Sequence, residues 1–259
     1  MMIPSDVQAE IQKRLKYTEQ AENVRILMAI ESGSRAWGFA SPNSDYDVRF
    51  IYIREKDWYV AVDFEEKRDV IEYDITDDID LNGWDVRKAL RLFWKSNPAF
   101  VEWIQSPITY IENGNFRKNT LALLPDIYSI KKGIYHYRSM AKTNYRGYLQ
   151  SDLVPLKKYF YVLRPLLAIK WLEKYHAPAP IEFHQLLTLV SDQSLLNAID
   201  ALLLKKQSSK ELALAPAVSV LNDYIELELN RLEEFKLEEI KRDEDIALLN
   251  NVFHQLFIE

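Results

Sequence analysis

Two short apolar runs, parted by a glycine–serine break and an Asp-x-Asp, constrain this chain more than any other stretch. Residues 24–54 read VRILMAIESGSRAWGFASPNSDYDVRFIYIR. The first run, 24–30, is short enough for a buried strand and breaks at Ser32-Gly33-Ser34. A small loop with Gly38 and Pro42 leads to Ser44-Asp45-Tyr46-Asp47, and the second run, 48–53, follows at once. Side chains alternate along a strand, so Asp45 and Asp47 fall on one face, about 7 Å apart. Two carboxylates on one face repel each other unless a cation lies between them. Hard divalent cations such as Mg²⁺ take oxygen ligands of this kind and keep positions for substrate phosphates. Gly33 has no Cβ to obstruct a phosphate approaching the backbone N–H groups of the turn.

The composition restricts the classes of function. A chain of 259 residues, 48% apolar and 28% charged, fits a soluble globular protein of one large domain or two modest ones. No apolar run approaches the ~18 residues of a membrane span, so no membrane partner is expected. The opening MMIPSDVQAEIQKRLK lacks the apolar core and cleavage site of a signal peptide, from which a cytoplasmic location is expected. Without cysteine there is no disulfide framework, thiolate nucleophile or cysteine zinc site. His136, His176, His184 and His254 are too scattered for a metal pattern, and no Walker A loop, dinucleotide fingerprint or nucleophile elbow occurs.

Taken in order, residues 5–23 read as an amphipathic helix capped by Ser5, with Val7, Ile11 and Leu15 on one stripe. Residues 68–75 have strand composition and can pair with 79–81 through the polar turn Thr76-Asp77-Asp78. Residues 84–95 form an amphipathic helix that ends at Ser96-Asn97-Pro98. Past Asn113-Gly114 strand signals give way to helical patterns at about 125–150, 155–175, 181–206 with a break near Asp192, and 217–257 with a break near Asp243. The expected class is α+β: a small mixed sheet with flanking helices in residues 1–113, then an all-helical domain in 114–259.

Gly33-Ser34, ten residues, then Asp45-Tyr46-Asp47 between apolar runs resembles the signature of the DNA polymerase β-like nucleotidyltransferase superfamily. The longer string GSRAWGFASPNSDYDVRFIY resembles a bacterial branch of predicted nucleotidyltransferases associated with RNA repair. The resemblance implies Mg²⁺ (or Mn²⁺) held by Asp45 and Asp47, with a nucleoside triphosphate as substrate. Gly33 and Ser34 would then cradle its phosphates, with Arg35 adding charge. It also implies a third carboxylate on a neighbouring strand. Asp77 and Asp78 look like turn residues and Asp85 suits the first turn of a helix, leaving Asp80 and Asp74. The place of Asp80 in DIDLNGWD, just before the helix, favours it.

The net charge of −6 is unevenly spread. Residues 131–175 carry ten Lys or Arg against two acids, whereas 217–259 carry eleven acids against four Lys or Arg. The basic stretch is the candidate phosphate-facing surface and the acidic tail is expected to face away from it. Within it Lys158, Tyr159 and Arg164 match a basic–aromatic pattern of the resembled branch, which implies contacts to the triphosphate. An RNA end is the favoured acceptor, with a protein hydroxyl or small molecule as other candidates. The alternative from a different class is a non-catalytic nucleotide-binding or antitoxin-like partner protein on the same fold.

Overall fold

Alternation along residues 46–53 decides the layout of the first half of the chain. The computed structural model describes residues 3–208, 214–234 and 246–258. Helix α1 (Ser5–Glu22) begins after Pro4, so Ser5 is its first residue and no side chain caps it; Asn23 closes it in a left-handed conformation at φ 50°. Strand β1 (Arg25–Glu31), the four-residue α2 (Gly33–Ala36) and β2 (Tyr46–Ile53) follow. A connection containing α3 (Lys56–Tyr59) leads to β3 (Val70–Glu72) and β4 (Ile79–Asp85). Then come α4 (Val86–Trp94), α5 (Pro98–Gln105), β5 (Thr109–Glu112), α6 (Phe116–Ala122) and α7 (Leu124–Ile127).

The five strands form one mixed sheet in the order β3-β4-β2-β1-β5. The β2–β4 pair is parallel and the other pairs are antiparallel. Val48, Phe50 and Tyr52 of β2, with Ile79 and Leu81 of β4, share a core with Ile11 and Leu15 of α1. Gly83 stands opposite Phe50, and a Cβ there would lie 2.2 Å from the ring, so the glycine is what lets the ring lie across β4. The alternate residues Asp47, Arg49, Asp80 and Asn82 consequently project from the other face. Asp77 and Asp78, both with positive φ, make the turn into β4, while only Val70–Glu72 of the expected 68–75 strand pairs regularly.

The second half is built from α8 (Ile130–Tyr148), β6 (Leu153–Pro155), α9 (Lys157–Tyr175) and α10 (Phe183–Leu187). It continues with α11 (Gln193–Ser208), β7 (Leu214–Pro216) and α12 (Ser219–Glu234), and the chain closes on α13 (Ile246–Gln255). The strands β6 and β7 pair antiparallel, so this region is helical with a two-stranded addition and not wholly helical. Helix α9 runs on through Pro165 without ending there. The expected break near Asp243 lies outside the described residues.

The chain divides into two compact units: Met1–Ala36, Asp45–Tyr128 and Asp243–Glu259 form the first, Trp37–Ser44 and Ser129–Arg242 the second. A single cut at 113/114 therefore misplaces three segments. Helix α6 stays with the sheet, because Phe116 is fully buried and Arg117 donates to the carbonyls of Ile104 (2.8 Å) and Ser106 (2.6 Å). Helix α13 returns to the same unit: Phe253 and Phe257 meet Tyr59 edge-on at 5.2 and 5.7 Å, and Arg25 donates to the Leu256 carbonyl. The loop Trp37–Ser44 belongs to the helical unit, where Phe39 stacks on Phe160 at 4.6 Å and the buried Lys206 ammonium donates to the Phe39 carbonyl.

Within the helical unit the acidic α12 does not face away from the basic helices. Glu228 pairs with Lys170 (2.9 Å) and Arg231 (2.9 Å), Glu233 pairs with Lys142 (2.7 Å), and Arg231 also reaches Glu173 (2.9 Å). Opposite charges concentrated in separate stretches of sequence are brought together where they attract, and Lys142 and Lys170 of the basic stretch are paired inside their own unit.

Candidate active site

The site is assembled on the sheet face opposite α1. Parallel pairing sets Asp47 directly beside Asp80, so the two carboxylates stand on neighbouring strands and on one face. Both reach the same guanidinium nitrogen. Arg49 Nη2 lies 3.1 Å from Asp47 Oδ1 and 2.6 Å from Asp80 Oδ2. Its Nη1 donates to the backbone carbonyls of Asp80 (2.8 Å) and Val48 (3.1 Å). The three side chains remain open to solvent, Asp47 at 29%, Asp80 at 26% and Arg49 at 17%.

Beneath this face the Gly-Ser turn is locked to Asp47. Ser32 N–H donates to the Asp47 carbonyl (2.8 Å), and Asp47 N–H donates to Glu31 Oε1 (3.0 Å). Gly33 has φ +57°, and a Cβ on it would sit 1.9 Å from Asp47 Oδ2. Only glycine tolerates both the left-handed backbone and that approach. Glu31 itself is fully buried and accepts a 2.5 Å hydrogen bond from the Tyr110 hydroxyl. Burial pushes its carboxyl up to about 7, against the opposing effect of the hydrogen bonds from Tyr110 and Asp47. Burial likewise raises the Tyr110 hydroxyl, and the Glu31 charge adds to it.

Arg35 pins the same segment from the side. Its Nε donates to the Asp45 carbonyl (3.2 Å), and its guanidinium lies 3.9 Å over the Tyr46 ring. Asp45 immediately precedes β2, so it is a loop residue at the strand's mouth and not a strand partner of Asp47. Among the other acids weighed from sequence, Asp74 is exposed outside the strands and Asp77 pairs with Arg14 at 2.6 Å. Asp85 caps α4, accepting from Arg87 N–H and from the Tyr59 hydroxyl.

The basic–aromatic residues of α9 lie in the helical unit and divide by burial. Lys158 sits 3.8 Å over the Tyr148 ring and 5.0 Å from that of Tyr161. Tyr159 is 0% exposed; its hydroxyl donates to Asn222 Oδ1 and accepts from Val218 N–H. Arg164 is 3% exposed, with its guanidinium 4.5 Å over Trp37 and its Nε 3.4 Å from the Ile181 carbonyl. Tyr159 and Arg164 thus hold helices and the 37–44 loop together in this arrangement, where sequence pattern put them at the triphosphate. A basic–aromatic pattern cannot separate a phosphate ligand from an enclosed cation–ring pair.

Three residues of this neighbourhood were not singled out from sequence. Arg49 was legible, since 45, 47 and 49 share strand parity. Glu31 and Tyr110 were not, because their meeting depends on the pairing of β1 with β5. Among the described residues no group of three or more acidic or histidine side chains stands ready to hold a metal. The donor chemistry nonetheless fits a hard cation: two half-exposed carboxylates converge on one point of positive charge, which the Arg49 guanidinium supplies.

The mixed sheet thus bears facing aspartates beside a Gly-Ser turn. The chain belongs to the family described as "RlaP: RNA repair pathway DNA polymerase beta family", which matches residues 7–255. It is 45% identical over 221 residues to the uncharacterized protein YcgL of Bacillus subtilis (strain 168), covering 85% of this chain and 84% of that protein. A nucleotidyltransferase-like protein from Exiguobacterium sibiricum 255-15, known as a crystal structure, aligns over 96% of this chain and 88% of its own with 14% identity and a TM-score of 0.32. No helix among the described residues is long and apolar enough to cross a membrane.

Proposed function

We propose that the chain transfers a nucleoside monophosphate from a nucleoside triphosphate to an acceptor hydroxyl, with release of pyrophosphate, and that the acceptor is an RNA end. The observation that carries this reading is the facing register of Asp47 and Asp80, whose carboxylates converge beside the Gly33 turn. Asp45, Asp47 and Asp80 are the residues that would hold divalent cations. Such cations, when bound, neutralise the triphosphate and lower the pKa of the attacking hydroxyl. The rest is positioning by the chain itself. Gly33 and Ser34 offer backbone N–H groups to the phosphates, Arg35 fixes the segment that carries Asp45, and Glu31 holds the Asp47 backbone from below. Lys158 is a candidate contact for negative charge on the helical unit's own surface, beside the Tyr148 and Tyr161 rings. The RNA acceptor rests on the family description and on nothing in the site itself.

One observation favours the second reading, a non-catalytic nucleotide-binding protein: Arg49 already bridges Asp47 and Asp80. A single experiment separates the two. The protein is incubated with each α-³²P-labelled nucleoside triphosphate and Mg²⁺, in the presence of bulk RNA and cell protein. Label on RNA that vanishes with Asp80→Asn supports transfer to RNA. Label on protein or a small molecule replaces the acceptor, and nucleotide binding without transfer to any species retires the enzymatic reading.

A further inference from the structure

Arg49 occupies a position that its sequence neighbours alone do not explain. It projects from the same face as Asp47, two residues along β2, and stands across from Asn82 on β4. One of its terminal nitrogens bridges the two carboxylates; the other is tied to two backbone carbonyls. This division of labour is available to a guanidinium fork and not to a lysine ammonium. The carbonyl bonds anchor the group independently of the acids. The carboxylate bonds neutralise two like charges that otherwise repel across neighbouring strands.

We infer that Arg49 is a built-in counter-ion that keeps Asp47 and Asp80 converged before a divalent cation arrives, and that it competes with that cation for the same oxygens. The inference rests on the reading of Asp47 and Asp80 as cation-binding carboxylates. Coupling of this kind is reciprocal: whatever factor the guanidinium takes from cation affinity, the cation takes from the guanidinium's hold on the acids. The anchored Nη1 keeps the displaced group at the rim of the site, where a positive charge can face an incoming triphosphate. Arg49 is thus a positioning residue that sets the cation concentration at which the site fills.

The test is a Mn²⁺ titration of the wild-type chain and of Arg49→Met, followed by the electron paramagnetic resonance signal of the free ion at low ionic strength. Competition predicts that Arg49→Met binds Mn²⁺ about tenfold more tightly. It also predicts that Mg²⁺ raises the melting temperature of the variant more than that of the wild type. Equal or weaker Mn²⁺ affinity in a folded variant overturns the inference. Should Arg49→Met not fold, the wild-type chain answers alone: the Arg49 Nε–Hε resonance must move as Mg²⁺ is added, and a resonance unmoved at saturation is fatal to the idea. None of these three readouts needs turnover. Absence of nucleotidyl transfer alongside tight, Arg49-opposed cation binding would count against the proposed reaction and leave the competition standing.

Discussion

The two units of this molecule handle opposite charges in different ways. In the helical unit three acids, Glu173, Glu228 and Glu233, balance three bases, Lys142, Lys170 and Arg231. Glu228 takes Lys170 and Arg231, Glu173 shares Arg231, and Glu233 takes Lys142. On the strand face two carboxylates share one guanidinium, which leaves a net negative charge at a solvent-open point. Balanced networks stabilise packing and have little left to offer a ligand. An unbalanced pair is a standing attraction for a further cation, which a purely structural salt bridge does not need. The strand face is therefore the place to look for chemistry, in line with the Gly-Ser and Asp-x-Asp pattern of the sequence.

Breaking the unbalanced side should have the largest effect. Asp47→Asn or Asp80→Asn is expected to lower nucleotidyl transfer on the order of 10³-fold, while thermal melting stays within a few degrees of wild type. Transfer that survives in either variant would remove the pair from the mechanism. Next comes the carboxyl beneath it. Glu31, raised from 4.5 to about 7, is favoured neutral in the folded chain. The stability tied to its protonation is present in full below about pH 4.5 and is lost as pH rises to about 7, a difference of about 3 kcal/mol. Urea unfolding across pH 4–8 should show that decline in the wild type and a flatter profile in Glu31→Gln; identical slopes would refute the assignment.

Gly33→Ala should cost roughly 2–3 kcal/mol, because the added Cβ meets Asp47 Oδ2 on a backbone already at positive φ. Transfer should fall with it, and a variant as stable and active as the parent would show that the turn has room to move. The smallest effect belongs to the balanced side. Glu228→Gln, which replaces a buried carboxylate shared by the partly exposed Lys170 and Arg231, should lower stability by about 1–2 kcal/mol in chemical denaturation and leave transfer per folded molecule unchanged. A loss of transfer there would mean that the helical network reaches the chemistry, and the contrast between the units would fail.

Local pattern was enough for much of this protein. Apolar runs too short for helices, a glycine–serine break and period-two alternation specify β1, β2 and a shared face for Asp47 and Arg49, because strand parity follows from the backbone alone. The turn at Asp77-Asp78 and the corner at Asn97-Pro98 were readable for the same reason: their backbone needs are met by residues within four positions. Tertiary structure decided what depends on distant pairing. Only the parallel register of β2 with β4 sets Asp80 beside Asp47, since a slip of one residue would turn it to the α1 core. Only the meeting of β1 with β5 buries Glu31 against Tyr110 and raises its carboxyl. Only packing sends α13 back to the sheet and the 37–44 loop into the helical unit, because apolar side chains declare that they must be buried without declaring against what.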